Sequence, residues 1–300
     1  MRITARALAT NSLRGLNSNL AVVNKLQSQL TSGRTISTPS DDPTGTNTSM
    51  ITRQGQAANV QQARNISDGH TFLDATDSAL QSMLDQARRV RDLAVRALNT
   101  GGSSQASNDA IATEVDGIRE SLVGQANQVI QGKPIFGGVT SGNQAYLADG
   151  TYVGVGGANG IPVHPVTRRV SDVESIRVDI TGPEAFGDPA SGKDLFAVVA
   201  SISANATAGT PQASDLDDLD AVIKRMSTAA ADIGTRSSRM DDAATINSAQ
   251  SLSLQAKLSD TEEVDMPKTI MELQMQQTGY QSALSVTAKS LQPSLLDFLR

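Results

Sequence analysis

The sequence LRGLNSNLAVVNKLQSQL, residues 13–30, places apolar side chains at steps of three and four residues along one helical face. A second set of the same kind lies within residues 266–291, near the other end of the chain. Alternating steps of three and four residues are typical of a coiled-coil seam, in which two helices bury their apolar stripes against each other. We therefore predict that the two ends pair, through Leu13, Leu16, Leu20, Val23, Leu30, Ile270, Leu273, Tyr280, Leu284 and Leu291.

Breaks flank the two stripes and separate them from the rest of the chain. Gly33 is a predicted helix C-cap, and the run TPSDDP at residues 38–43 offers Ser40 or Asp41 as the N-cap of the next helix. Residues 260–267 form an acidic joint, and an apolar tip beyond the last helix adds Leu295 and Phe298 to the predicted contact set.

The isolation of the stripes leads to an expectation about the free monomer. Beyond the breaks, each stripe can pack only against the other stripe or against another molecule. An unpaired helix of this length is only marginally stable in water. We therefore expect residues 1–33 and 268–300 to be largely disordered in the monomer and to become ordered during assembly.

The periodicity predicts a mainly α protein whose two ends form a long antiparallel helical bundle or coiled coil. Helical patterns cover residues 4–32, 44–99, 104–131, 195–204, 214–259 and 270–291. Residues 132–192 differ, because they are rich in glycine and contain alternating runs at 150–155 and 175–180 that are typical of β-strands. The predicted domains are 1–43 with 260–300, 44–131 with 193–259, and a small β-rich insert at 132–192.

The composition argues against several classes of protein. The 300 residues include only five Phe, three Tyr and no Trp, which is little aromatic bulk for a compact enzyme core. A formal net charge of −6 leaves no basic footprint for nucleic acid, and the absence of cysteine excludes disulfide and thiolate chemistry. No apolar run approaches the ~18 residues of a membrane span, and no cleaved signal peptide is predicted. We therefore expect neither a nucleic-acid nor a membrane partner.

The polar clusters have simpler explanations than a catalytic, phosphate-binding or metal-binding role. His70 and His164 lack metal-ligand spacing, so surface or packed histidines are favoured. The loop at 154–160 lacks the Lys-Ser/Thr pair of a phosphate loop, and the acidic run at 215–220 lacks the glycine and glutamate of an EF-hand. Helix initiation explains that run, with Ser214 as its cap, and also the pair Asp41-Asp42. We predict no catalytic residue, no cofactor and no metal.

Four motifs together resemble the flagellin superfamily of bacterial axial proteins. TPSDDP at 38–43 resembles a Pro-Ser-Asp-Asp-Pro turn, and IFGG at 135–138 resembles a Phe-(Ala/Ser)-Gly signature. DITGPEAF at 179–186 resembles a Val-Thr-Gly-x-x-x-Phe strand and turn, and LLDFL at 295–299 resembles a Leu-Leu-Asp-Tyr-Leu ending. Within the superfamily these motifs favour the junction proteins between hook and filament, with filament flagellin as the alternative.

The resemblance implies a non-enzymatic structural subunit that is secreted through the flagellar type III export channel as an unfolded chain. The implied partners are other copies of the chain, the first hook-filament junction protein below, flagellin above, and an export chaperone that binds the C-terminal segment. A soluble helical-bundle adaptor is a weaker alternative, since it would need neither the β-rich insert nor the apolar tip. An enzyme is weaker still, because the sequence contains no catalytic constellation.

Overall fold

The structure, a computed structural model, describes residues 5–99, 105–158 and 161–291, with side chains between residues 10 and 289 of these ranges. Helices dominate the described chain, and α1 packs against α7. The prediction of a mainly α protein with paired ends is therefore confirmed. The helices are α1 (Ala5–Ser32), α2 (Pro43–Asn99), α3 (Gln105–Ala126), α4 (Gly182–Phe186), α5 (Leu195–Thr207), α6 (Ala213–Glu262) and α7 (Met266–Leu291).

The third helix is shorter than the periodicity predicts. It ends at Ala126, and the apolar pair Val129–Ile130 forms strand β1, which pairs with β2 (Lys133–Pro134). Gln131 and Gly132 join these strands with φ angles of 51° and 79°. A two-residue hairpin of type I′ needs positive φ at both of its central positions, and glycine accepts that conformation cheaply. The prediction of helix as far as residue 131 is therefore wrong.

The middle region contains short strands, as predicted, but fewer than the alternating runs indicate. Strand β3 (Thr167–Arg169) pairs antiparallel with β4 (Ser175–Arg177). The predicted strand at 150–155 is wrong, since that segment contributes only isolated bridges, such as Tyr146 to Tyr152. Positive φ angles of 91° at Gly150 and 97° at Gly156 turn the chain on both sides of the segment. The predicted break at 100–103 lies outside the described residues.

The chain divides into two compact units, which we call the terminal unit (1–58 with 250–300) and the body (59–249). The body contains one continuous apolar core, built where α2, α3, α5 and α6 meet the middle region. Its centre is a group of aromatic rings with centroids 4.6–6.0 Å apart: Phe136, Tyr146, Tyr152, Phe186 and Phe196. The few aromatic residues of the chain are thus concentrated in one place.

The acidic run at the start of α6 is used for contacts within the body. Asn205 Nδ2 donates to Asp215 at 2.6 Å, Lys193 Nζ donates to Asp218 at 2.8 Å, and Arg91 Nε donates to Asp220 at 2.5 Å. The helix begins at Ala213, so the predicted cap Ser214 lies inside it.

Two negative findings hold for the described residues. No group of three or more His, Asp or Glu side chains is placed to hold a metal ion. No helix in the described ranges combines the length and the apolar character that crossing a bilayer requires.

Candidate assembly surface

The two predicted breaks bind each other and bring α1 and α7 side by side. Gly33 ends α1 with a φ of 68°, and its N–H donates to the carbonyl of Gln29 at 2.8 Å. The carbonyl of Gly33 then accepts from Val264 N at 3.2 Å, while Thr35 N donates to the carbonyl of Glu262 at 2.7 Å. The Gly33 C-cap is therefore confirmed, and the backbone bridge between 33–35 and 262–264 closes the pair at one end.

Asp41 and Asp42 stabilise the TPSDDP run through different sets of hydrogen bonds. Asp41 accepts from Thr38 N at 3.0 Å and from the hydroxyl groups of Thr38 and Ser37, and these hydrogen bonds hold its pKa well below the usual range. Asp42 Oδ1 accepts from Thr44 N and Gly45 N, both at 3.0 Å. Asp42 is therefore the N-cap of α2, and the prediction of Ser40 or Asp41 is wrong, because Asp41 closes the preceding loop.

A half-buried ion pair fixes the end of α6 on the start of α2. Arg53 Nη2 lies 2.6 Å from Glu262 Oε2. Burial raises the pKa of Glu262, but hydrogen bonds from Arg53 and Ser49 outweigh it, so the pKa lies below its ordinary value. The carboxylate is therefore charged at neutral pH. Its ion pair with Arg53 holds the end of α6 in place, shortly before α7 begins.

The helices α1 and α7 run antiparallel and meet along one seam. Gln276 Nε2 donates to Asn19 Oδ1 at 3.3 Å, midway along the pair. The buried and half-buried positions again recur at steps of three and four residues, but many of them are small or polar. They are Ser12, Leu16, Asn19, Val23, Leu26, Gln29 and Leu30 on α1, and Thr269, Leu273, Gln276, Gln277, Tyr280, Ala283 and Thr287 on α7.

The sequence-predicted contact residues divide into two groups. Leu16, Val23, Leu30, Leu273 and Tyr280 lie in the seam. The other described members lie beside the seam, with exposures between 40% for Leu20 and 55% for Leu13, and they are Leu13, Leu20, Ile270 and Leu284. Leu291 is the last residue of α7 and its side chain is not described, while Leu295 and Phe298 lie outside the described residues. The seam thus uses part of each stripe and leaves the rest in solvent.

Further apolar residues lie exposed on α7 and were missed by the sequence reasoning. Met271, Met275 and Val286 point away from α1, and Val22 is exposed on α1. The signal was available, since Met271 and Met275 are spaced one helical turn apart. Exposed apolar side chains on both helices form what we call the assembly surface, defined by Leu13, Leu20, Val22, Met266, Ile270, Met271, Met275, Leu284 and Val286. Such a surface can bind another helix, and the side chains that define it include no titratable group.

Family comparisons agree with this architecture. A model described as the bacterial flagellin N-terminal helical region matches residues 3–151. A second, described as the bacterial flagellin C-terminal helical region, matches residues 216–299. The two models together cover both terminal helices and most of the helical body.

Individual relatives match nearly the whole chain. Flagellar hook-associated protein 3 of Escherichia coli (strain K12) is 26% identical over 94% of this chain and 95% of that protein. Flagellin of Bacillus subtilis (strain 168) is 28% identical and aligns over 100% of both chains. A solved structure of a putative flagellar hook-associated protein from Vibrio parahaemolyticus superposes with a TM-score of 0.62 at 20% identity. It covers 74% of this chain and 100% of that one, and it supports the fold alone.

Proposed function

We propose that this chain, which belongs to the bacterial flagellin family, joins the hook to the filament of the flagellum as a junction subunit and assembles through its paired terminal helices. It is a structural protein and not an enzyme, and it functions outside the cell as part of the flagellum. The observation that carries the proposed mode of assembly is the exposed apolar surface along α1 and α7. Helices that pair with each other and still expose leucine, isoleucine and methionine can bury those side chains against neighbouring subunits.

One observation favours the junction over the filament. TPSDDP occupies the turn before α2, and it resembles the Pro-Ser-Asp-Asp-Pro turn of the junction proteins. Filament flagellin remains the second candidate, because the B. subtilis flagellin aligns over the full length. A filament subunit polymerises into long filaments, whereas a junction subunit stops after a short ring. Electron microscopy of the purified chain under polymerising conditions separates the two, and long filaments would favour flagellin.

The partners follow from this position. Other copies of the chain lie beside it, the first hook-filament junction protein lies below, and flagellin lies above. An export chaperone binds the C-terminal segment before secretion through the flagellar channel. The terminal unit supports this route, since the bonds that close it are hydrogen bonds and ion pairs without a disulfide.

Leu284→Asp tests the role of the assembly surface. The leucine is exposed beside the seam, so aspartate should leave the body folded and the seam free of charge, but it places a charge where a neighbour must bind. We expect at least a tenfold loss of incorporation into flagella, which corresponds to about 1.4 kcal/mol or more. The matched control is Ser282→Asp, which adds the same charge at an exposed polar position of α7.

The measurement is the amount of each variant on isolated flagella of a strain that lacks the natural gene, with circular dichroism as the test of folding. Normal incorporation of Leu284→Asp would contradict the proposed mode of assembly. Equal loss with Ser282→Asp would show that any charge on α7 is harmful, and the assignment to the apolar surface would then be wrong.

A further inference from the structure

The methionines of this chain are divided sharply between the two units. Among the described residues, the terminal unit contains Met50, Met266, Met271 and Met275, whose exposures lie between 44% and 69%. The body contains Met83, Met226 and Met240, all with 0% exposure. The chain has no cysteine, so its thioethers are the only sulfur groups that an oxidant can meet.

Exposed thioethers have a defined reaction with two-electron oxidants. Hypochlorous acid transfers its oxygen to the methionine sulfur, so an S=O bond forms, the sulfur loses two electrons, and chloride and a proton leave. A thiol-dependent reductase reverses the change, because two thiols become a disulfide and the oxygen leaves as water. The product sulfoxide is polar, so an apolar contact surface becomes poorly suited to burial.

We propose that Met50, Met266, Met271 and Met275 form a reversible oxidation site, and that the sulfoxides on α7 block assembly of the subunit. The second half of this statement rests on the proposed function, because it requires that α7 contacts neighbouring subunits. Met271 and Met275 are central to it, since they lie one helical turn apart on the side of α7 that faces away from α1. Subunits are open to the reaction before assembly and protected after it.

The fold itself does not depend on these four side chains. The seam between α1 and α7 is formed by other residues, including Leu16, Val23, Leu273 and Tyr280. The methionines that the fold needs are those of the body, which contribute to its core and are shielded from solvent. Oxidation of the exposed set therefore changes the surface and leaves the structure intact.

The site is tested by oxidant mapping on the purified full chain. Limited treatment with hypochlorous acid, followed by peptide mass spectrometry, should add about 16 Da to the four exposed methionines at least tenfold faster than to Met83, Met226 and Met240. Circular dichroism of the same sample should be unchanged. Equal rates at exposed and buried methionines in a folded sample would overturn the site.

The effect on assembly is tested with Met50→Leu, Met266→Leu, Met271→Leu and Met275→Leu combined, because leucine keeps the apolar volume but cannot be oxidised. Binding to isolated hooks that carry the first junction protein is measured before and after oxidation. Wild type should lose at least about tenfold in bound protein and recover it with methionine sulfoxide reductases and dithiothreitol, whereas the leucine variant should be unaffected.

The outcomes separate this inference from the proposed function. If oxidation lowers binding equally in wild type and the leucine variant, the block arises from another group and the inference is wrong. If neither protein binds the hooks before oxidation, the proposed function fails, while the mass spectra still decide whether the four methionines form the oxidation site.

Discussion

The body and the terminal unit are built from the same kind of helix, yet they bury very different kinds of side chain. The body encloses a continuous core that contains four of the eight aromatic residues of the chain, and two more pack against it. Among the described residues of the terminal unit, Leu16 and Val23 are the only buried apolar side chains, and each is still 8–9% exposed. The seam around them includes serine, asparagine, glutamine and threonine. Helical periodicity alone therefore does not make a self-sufficient core.

This difference matches the two requirements of the proposed function, which are a body that is stable by itself and end helices that bind neighbouring subunits. Ordering a residue costs about 1–2 kcal/mol of backbone entropy, so a helix needs buried surface to remain formed. The body obtains that surface from its own chain. The terminal helices keep much of theirs in solvent. Under the proposed function neighbouring subunits cover this surface, and we expect folding of the ends to be coupled to assembly.

Hydrogen exchange on the purified monomer gives the largest expected contrast between the two units. Amides of α2 and α6 within the body should be protected with free energies near that of global unfolding, several kcal/mol. Amides of α1 and α7 should exchange almost as freely as in an unfolded chain. In assembled flagella the terminal amides should become protected. Strong protection of α1 and α7 in a proven monomer would contradict the comparison.

A core substitution provides the next contrast. Phe186 is fully buried, and its ring centroid lies 4.8 Å from that of Phe136. Phe186→Ala should lower the free energy of unfolding of the body by about 3–5 kcal/mol, because it removes apolar contacts and leaves a cavity. Leu16→Ala is the matched change in the terminal unit, and it should leave the main unfolding transition unchanged. Urea denaturation followed by circular dichroism measures both.

The opposite result would be informative. If Leu16→Ala destabilised the main transition as strongly as Phe186→Ala, the terminal pair would be part of the same cooperative unit as the body. The body and the terminal unit, which differ in burial, would then not be separate unfolding units in solution.

The sequence predicted the pairing of the ends but not the full composition of the seam. From Leu16, a step of three reaches Asn19 and a step of four reaches Leu20, and both lie near the same helical face. Hydrophobicity favours Leu20, whereas the structure places Asn19 in the seam and leaves Leu20 exposed. A single sequence cannot resolve this choice, because an apolar residue that contacts a neighbouring subunit follows the same periodicity as one that packs within the fold.

Local predictions were wrong where backbone conformation and local hydrogen bonds outweighed the side-chain pattern. The alternating run at 150–155 is typical of a strand, but the positive φ angles at Gly150 and Gly156 turn the chain out of any ladder. Asp42 is the N-cap of α2, because the side chain of Asp41 already accepts hydrogen bonds from the hydroxyl groups of Ser37 and Thr38. The three-domain division, with 132–192 as a separate insert, stays a prediction that limited proteolysis can test.

A pH titration gives the smallest expected effect and tests the polar part of the body. Arg177 Nη2 donates to Glu184 Oε2 at 2.7 Å, and Thr181 N donates to the same oxygen at 2.9 Å. Burial raises the pKa of Glu184, but these hydrogen bonds outweigh it, so the pKa lies below its ordinary value of 4.5. Because the folded protein binds this proton less tightly than the unfolded chain, the carboxylate stabilises the body above pH 4.5.

That contribution is lost as the pH falls through the lowered pKa of the folded state. Glu184→Gln should therefore cost on the order of 1 kcal/mol near neutral pH, and the gap from wild type should close in acid. Urea denaturation at several pH values measures this gap, and Glu120→Gln, which removes an exposed carboxylate on α3, controls for the loss of one negative charge. A gap that is constant with pH would assign the effect to altered hydrogen bonding. The ion pair would then contribute to the shape of the body but not to its pH-dependent stability.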